Sequence, residues 1–346
     1  MKSGSVSPSD RVFDVQVVGH LCVDLVPGLL AAADVTPGLL IDTGPLDLRL
    51  GGCVGNTGAD VAGLGLRALL VSSLGDDVLA TTVLALVGRI EGAEPQLHRV
   101  AASTTSYSVV VQPPGTDRTF WHHVGANAAF DGREVDVMAA PLLHIGYLPI
   151  LPALTADDGA PLVALLSAAR DAGVTTSVDL CVTQLGPQAP DWHSLLTRVL
   201  PLSDVVSPSL DDVRSVLGEP GMTLESAADW LLRRGPAVVL VTDGEHGMLL
   251  RTAPAERFHS TDPTAHSTVL SRLGGNWHDR RLLVPTVADT VVQTTGAGDA
   301  ASAGLLAAMH HGLVLDDAMA LVQAAAAHRV AGRGSLAGLG HLAESR

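Results

Sequence analysis

Lysine is all but missing from this chain of 346 residues: 20 of its 21 basic residues are arginine, and the single lysine is Lys2. A Walker-A phosphate loop, a protein-kinase active site and a pyridoxal-phosphate Schiff base each need a lysine, so one count excludes all three. Any phosphate handled here must meet backbone amides, arginine or a metal ion. Cysteine is also scarce. Cys22, Cys53 and Cys181 lie far apart with no CxxC pair, which argues against a disulfide framework or a structural zinc site and reads as free buried thiols. Positive charge forms no cluster, and 36 acidic residues give a net charge of −15, so nucleic acid is not an expected partner. No apolar run reaches the roughly 18 residues of a membrane span. The apolar stretch Pro141–Leu154 is interrupted by His144, Gly146, Pro149 and Pro152, and the serine-rich Met1–Asp10 has no apolar signal core. A soluble, cytoplasmic protein without a membrane partner is expected.

Apolar mass is plentiful. Hydrophobic residues make up 47 % of the chain and charged ones 16 %, enough to bury one large α/β core or two small ones. Phe13–Val18, Ala68–Ser73, Leu142–Ile145, Val174–Asp179, Asp204–Ser207 and Val238–Thr242 read as buried strands. Asn56–Leu64, Asp77–Ile90, Ala160–Ala172, Asp211–Leu217, Leu224–Arg233, Ala300–His311 and Asp316–Val330 read as helices. This alternation predicts a mostly parallel sheet covered on both faces. Leu39–Leu50 and Ser106–His123 alternate polar and apolar residues, as half-exposed strands of a small separate sheet or lid would. The aperiodic segment Ala253–Arg281 reads as a long surface insertion.

Four motifs could carry chemistry. In Thr294-Thr295-Gly296-Ala297-Gly298-Asp299, small residues ahead of a helix let successive N–H groups converge on an anion without any lysine. Asp299 beside that anion could take a proton from an alcohol, or it could simply cap the helix, and the motif alone leaves both readings open. Gly51-Gly52-Cys53-Val54-Gly55-Asn56 permits close approach of a ligand and offers the Asn56 amide to hydroxyl groups, or merely punctuates a strand–helix unit. Asp24 follows the first strand, where open α/β sheets bind ligands, although a solvated turn carboxylate fits equally. The turn Thr242-Asp243-Gly244-Glu245-His246-Gly247 could carry nucleotide phosphates or be a tight hairpin. No GxGxxG follows the first strand, which argues against a dinucleotide-dependent dehydrogenase. His122-His123 on a strand point to opposite faces and cannot share a metal, and His310-His311 suit a helix C-terminus.

Together, from about Val17 to about Leu336, these motifs resemble the ribokinase-like sugar kinases of the PfkB family. The resemblance rests on Asp24, on Gly51, Gly52 and Asn56, on Thr242, Gly244 and Gly247, and above all on Thr294 to Asp299 in that order. It implies a ribokinase-like three-layer α/β sandwich with a mostly parallel central sheet and a small β lid over about 37–50 and 106–123. A single domain over 13–336 would follow an arm at 1–12 and precede a tail at 337–346. The implied activity is ATP-dependent phosphotransfer to a hydroxymethyl group of a small sugar or sugar-like polyol. Asp299 would be the general base and Gly296, Ala297 and Gly298 the anion hole; Asp24, Gly51, Gly52 and Asn56 would bind the acceptor. Thr242, Asp243, Gly244, Gly247 and Thr295 would hold ATP, with Mg²⁺ reached by Asp212 through water. A nucleoside kinase is the rival acceptor class, disfavoured by only 4 Trp, 4 Phe and 2 Tyr, although Phe120 and Trp121 stand on the lid. A non-catalytic sugar or nucleotide sensor is the rival of another class, and the resemblance admits a homodimer through the lid.

Two motif positions depart from the family, and the insertion 253–281 is longer than usual there. The first Asp of the C-terminal motif is Gln293, which brings no charge, so weak or absent monovalent-cation activation is expected. The Asn-x-x-Glu of the family is Ser209-Leu210-Asp211-Asp212, with shorter side chains at both ends. Arg333 reads as a solvated surface residue rather than a phosphate ligand.

Overall fold

The computed structural model describes residues 11–29, 38, 40–113, 118–182, 189–259, 267–287 and 291–344. The N-terminal half runs β1 (Val15–Gly19), β2 (Cys22–Pro27), β3 (Leu46–Gly51), α1 (Gly52–Gly63), β4 (Ala68–Leu74), α2 (Val78–Val87), β5 (Ala93–Arg99), β6 (Tyr107–Val111), β7 (Thr119–His123) and β8 (Leu142–Gly146). Next come α3 (Ala156–Asp171), β9 (Thr175–Val178), α4 (Trp192–Val199), β10 (Val205–Val206), α5 (Leu210–Leu217), α6 (Leu224–Leu232) and β11 (Val238–Thr242). The chain closes with β12 (Met248–Thr252), α7 (Ala255–Phe258), β13 (Arg281–Val284), α8 (Ala297–His311), α9 (Leu315–Val330) and α10 (Gly340–Glu344).

Period-two burial explains the three layers. Val15 and Val17 enter one core while Val18 enters the other; Leu70 opposes Leu69 and Val71, and Leu240 opposes Val239 and Val241 in the same way. The first core packs against α1, α2, α8 and α9, the second against α3 to α6. Between them lies a nine-stranded sheet in the order β13-β12-β11-β10-β9-β8-β1-β4-β5. It is parallel from β5 through β11, with β12 antiparallel to both of its neighbours. A second sheet, β3-β2-β6-β7, forms the expected lid. Its strand expected over about 37–50 begins only at Leu46, β2 is a lid strand that was not expected, and residues 37, 39 and 114–117 lie outside the described residues.

Several expectations need correction. The chain leaves β1 at Gly19 and re-forms as β2, so Asp24 belongs to a lid strand, not to a turn at the end of the main sheet. The polar edge strand β5, the short β12 and β13 and the eight-residue α4 had no reading of their own, because polar or very short segments give little period to detect. Helices α1 and α8 start earlier than read, at Gly52 and Ala297, so the glycine motifs are their first turns. The segment 253–281 is not confined to the surface: Phe258, Val269, Leu270, Leu273 and Trp277 are buried in the first core, and Trp277 donates to the Leu313 carbonyl at 2.9 Å. The expected tail forms α10 at 340–344, and Leu342 packs against the same core. Residues 1–10 of the expected arm lie outside the described residues, while Arg11 is buried against the carbonyls of Ala140 and Ala172. Among the described residues no helix is long and apolar enough to cross a membrane.

Candidate active site

Parallel strands deliver their C-terminal ends to one edge, and that edge meets the lid. His20 follows β1, Tyr147 follows β8 and Asp179 follows β9. The His20 ring lies edge-on to His122 of lid strand β7, with centroids 4.9 Å apart. His20 Nε2 also lies 3.1 Å from the Ser106 hydroxyl, so the two sheets are joined by side chains as well as by the chain.

Asp299 occupies the first turn of α8 and is 4 % exposed. It does not cap its own helix: the N-cap is Gly296, in the left-handed region at φ 78°, with no side-chain cap bond. The carboxylate instead faces α1 and the end of β8. Oδ1 accepts from the Thr57 hydroxyl at 2.9 Å, and Oδ2 accepts from Asn56 Nδ2 at 3.1 Å and from the Tyr147 hydroxyl at 2.8 Å. Burial pushes its pKa up to about 6, against the hydrogen bonds from Tyr147, Thr57 and Asn56 and the charge of Arg329. Asn56 and Asp299, 243 positions apart in sequence, are thus direct partners.

Beneath them lies a second carboxylate that sequence reasoning missed. Asp60, one helical turn beyond Asn56 on α1, is 1 % exposed and paired with Arg329 of α9. Burial raises its pKa to about 7, opposed by Arg329 and reinforced by Asp299. A Cβ on Gly296 would stand 3.7 Å from Arg329 and 3.8 Å from Asn56, so the guanidinium stem flanks the start of α8. Arg329, rather than the exposed Arg333, is therefore the arginine of the C-terminal region that flanks the Gly-Ala-Gly turn. Its position in an alanine-rich helix was no signal in itself.

On the lid side, Asp24 is 8 % exposed, and its carboxylate accepts from the Cys22 thiol with sulfur and oxygen 3.4 Å apart. Burial raises its pKa, while the bonds from Cys22 and Ser108 and the charge of Arg49 lower it. A side chain at Gly51 would overlap that carboxylate, and one at Gly52 would run into the His20 carbonyl. Asp24 is therefore packed against the start of α1, the helix whose Asn56 reaches Asp299. Two lid arginines cross to the turn that leads into α8: Arg118 donates to the Thr294 hydroxyl, and Arg49 Nη1 lies 3.4 Å from Gln293 Oε1. Gln293 Nε2 reaches the Arg329 carbonyl at 3.4 Å.

The remaining motif residues line another side of the same region. The Thr242–Gly247 turn is the hairpin between β11 and β12, closed by Asp243 N–H to the Gly247 carbonyl at 2.8 Å. Thr242 forms an isolated parallel bridge with Ser209, which places the turn beside the Ser209–Asp212 motif. Ser209 and Asp212 cap α5 reciprocally, Asp212 Oδ2 accepting from the Ser209 N–H at 2.7 Å and hydroxyl at 2.6 Å. The neighbouring Asp179 has its pKa raised well above the carboxylate range, first by burial and then by the charges of Asp212 and Asp299. Ser302 of α8 donates to Ser207 at 2.8 Å, tying that helix to the end of β10. Among the described residues no group of three or more His, Cys, Asp or Glu is arranged around a metal position.

A family model described as pfkB family carbohydrate kinase matches residues 13–339. The chain is 25 % identical over 300 residues to a 2-dehydro-3-deoxygluconokinase of Bacillus subtilis (strain 168), covering 84 % of this chain and 83 % of the relative. It is 21 % identical over 323 residues to an ATP-dependent 6-phosphofructokinase of Thermoanaerobacterium thermosaccharolyticum, covering 93 % and 89 %. The structure of Arabidopsis thaliana ribokinase complexed with ribose and ATP aligns with a TM-score of 0.70 at 20 % identity, over 96 % of this chain and 99 % of that one. With a family model spanning nearly the whole chain and the layered fold and lid in place, the chain belongs to the pfkB family of carbohydrate kinases.

Proposed function

We propose that this chain transfers the γ-phosphoryl group of ATP to a hydroxymethyl group of a small sugar or sugar-like polyol, with Asp299 as general base. The observation that carries the reading is the Asp299 carboxylate: buried, held by three neutral donors, and placed in the first helical turn after Gly296. At neutral pH a carboxyl with a pKa of about 6 is ionised and still basic enough to accept a proton. The acceptor hydroxyl gives its proton to Asp299 as its oxygen bonds to the γ-phosphorus. The bond to the β,γ-bridging oxygen breaks in line, and its electron pair leaves with ADP. The N–H groups of Gly296 and Gly298 stabilise the charge on the transferred group, whereas that of Ala297, expected in the anion hole, donates to the Thr294 carbonyl at 3.2 Å and closes the turn. Asp24, with Gly51 and Gly52 giving room, orients acceptor hydroxyls from the lid. Asn56 commits its amide N–H to Asp299 and keeps its carbonyl oxygen for the acceptor.

The residues present suit the nucleotide. A Cβ added at Gly298 or at Gly244 would meet nothing within 4 Å, so both turns present open backbone at which phosphate oxygens could approach N–H groups. Thr242, Asp243, Gly244, Gly247 and Thr295 form the nucleotide side. Mg²⁺ would supply countercharge for the phosphates, and it needs only one or two carboxylates from a protein. Asp212 would hold it through water, and Asp179, whose ionisation its carboxylate neighbours oppose, would gain a countercharge.

ADP release should be measured with neutral pentoses and hexoses, a sugar acid, a sugar phosphate and a nucleoside. With the best acceptor, Asp299→Asn should lose roughly 10²–10⁴ in turnover with little change in the KM for ATP. Near-normal turnover in that variant would overturn the assignment.

A further inference from the structure

We infer that Tyr147 is a positioning residue for the base: its hydroxyl fixes the rotation of the Asp299 carboxylate and leaves one lone pair on Oδ1 for the acceptor. This rests on the reading of Asp299 as the base. A carboxylate offers about four acceptor positions. Thr57 fills one on Oδ1, and Asn56 and Tyr147 fill both on Oδ2. Without Tyr147 the carboxylate could turn about its Cβ–Cγ bond and present either oxygen.

The backbone shows how strongly Tyr147 is held. It sits at φ 62°, ψ 45°, the left-handed region that a residue with a side chain avoids. Such a conformation persists only where the surroundings over-determine it. Here the surroundings are identifiable. Gly146 ends β8 against Cys53 of α1, the Tyr147 carbonyl accepts from the Ile150 N–H at 3.1 Å, and the ring lies nearly parallel to His20 with centroids 6.1 Å apart. A tyrosine side chain has only two torsions. With the ring and backbone fixed, the hydroxyl position follows.

The hydroxyl also acts on the charge of Asp299. The ionisable groups facing that carboxylate are Cys53 and Asp60 from α1, Asp179 and Cys181 beyond β9, Arg329 from α9 and Tyr147 itself. Arg329 is the cation of the set, and it is paired with Asp60. Neutral donors therefore carry much of the stabilisation of ionised Asp299. Tyr147 remains a donor throughout, because burial and the neighbouring carboxylates hold its own pKa well above the usual tyrosine value.

The test is Tyr147→Phe, which keeps the ring and the backbone and removes only the oxygen. With aspartate carboxyl carbons labelled with ¹³C, the Asp299 resonance is identified by its loss in Asp299→Asn and titrated in the wild type and in Tyr147→Phe. The expected result is an upward shift of about one pKa unit, the size of one lost hydrogen bond to the charged form. The acidic limb of kcat/KM should move to higher pH by the same amount, because at a given pH more of the base carries a proton. An unchanged titration would overturn the inference, as would an activity loss equal at every pH. Retained turnover in Asp299→Asn would instead overturn the base assignment, and the titration would still decide whether Tyr147 governs this carboxyl.

Discussion

Helices α1 and α8 both open on glycine turns and converge on the same carboxylate, yet their glycines are there for different physical reasons. At the start of α1, Gly51 and Gly52 are packing residues. Any side chain there would strike the Asp24 carboxylate or the His20 carbonyl, and Gly52 sits at φ +79°. At the start of α8, Gly298 faces open space, with nothing within 4 Å of where a Cβ would stand. Gly51 and Gly52 let the lid pack against the helix; Gly298 keeps a backbone surface bare. Similar sequence signals therefore report opposite local densities.

The largest effect expected from this contrast is on stability. Gly52→Ala should cost about 2–4 kcal/mol, since it combines a strained φ with a backbone clash. Gly298→Ala, inside a helix and free of clashes, should be neutral or gain up to about 1 kcal/mol. Turnover in the second variant should nevertheless fall roughly 10²-fold, because the methyl group keeps the phosphoryl oxygens from the amides. Thermal melts and turnover on both proteins check this. Equal losses of melting temperature would mean that both turns are packing devices.

Next in size is Asp24, on the dense side of the comparison. Asp24→Ala should weaken acceptor binding by roughly 1.5–3 kcal/mol, the range for hydrogen bonds to a charged group, with the circular dichroism spectrum and the KM for ATP unchanged. Titration of the acceptor by calorimetry measures it. A variant that unfolds would make Asp24 a structural partner of Cys22 and Ser108 and nothing more.

The smallest effect concerns Gln293, at the rim of the open side. Its carbonyl oxygen lies 3.4 Å from Arg49 Nη1 and its amide faces the Arg329 carbonyl, so it offers a monovalent cation no charge and a preoccupied oxygen. Turnover should differ little among sodium, potassium and tetramethylammonium buffers at matched ionic strength. Gln293→Asp should create or enlarge a potassium-specific gain. A several-fold potassium effect in the unaltered protein would contradict this account.

Much of the site was legible because its motifs are local. Thr294 to Asp299 is one continuous turn, and the order of Asp24, Gly51–Asn56 and Thr242–Gly247 along the chain is a property of the sequence alone. Asp24 was recognised but placed on the wrong element, since Gly19 and His20 interrupt two strands that read as one strand and a turn. The core role of Phe258, Val269, Leu270 and Trp277 was hidden for a different reason. A segment without a period carries no signal of which side chains will be covered, even when a fully buried tryptophan anchors it.

What the sequence determined by itself was whatever depends on near neighbours: strand and helix alternation, two-sided burial, the glycine turns and the absence of a usable lysine. The tertiary structure alone decided which side chains attend Asp299. Thr57 is 242 positions away from it and Tyr147 is 152, while the Asp60–Arg329 pair beneath them spans 269. Threonine, tyrosine and arginine are ordinary in helices and loops, and nothing in their local context marks them. They become partners of the carboxylate because strand register puts β8 beside β1, and packing sets α1 against α8 and α9 with the ends of these elements at one edge. Hydrogen bonds form between groups that the fold has brought within about 3 Å, and that proximity is set by long-range packing rather than by spacing along the chain.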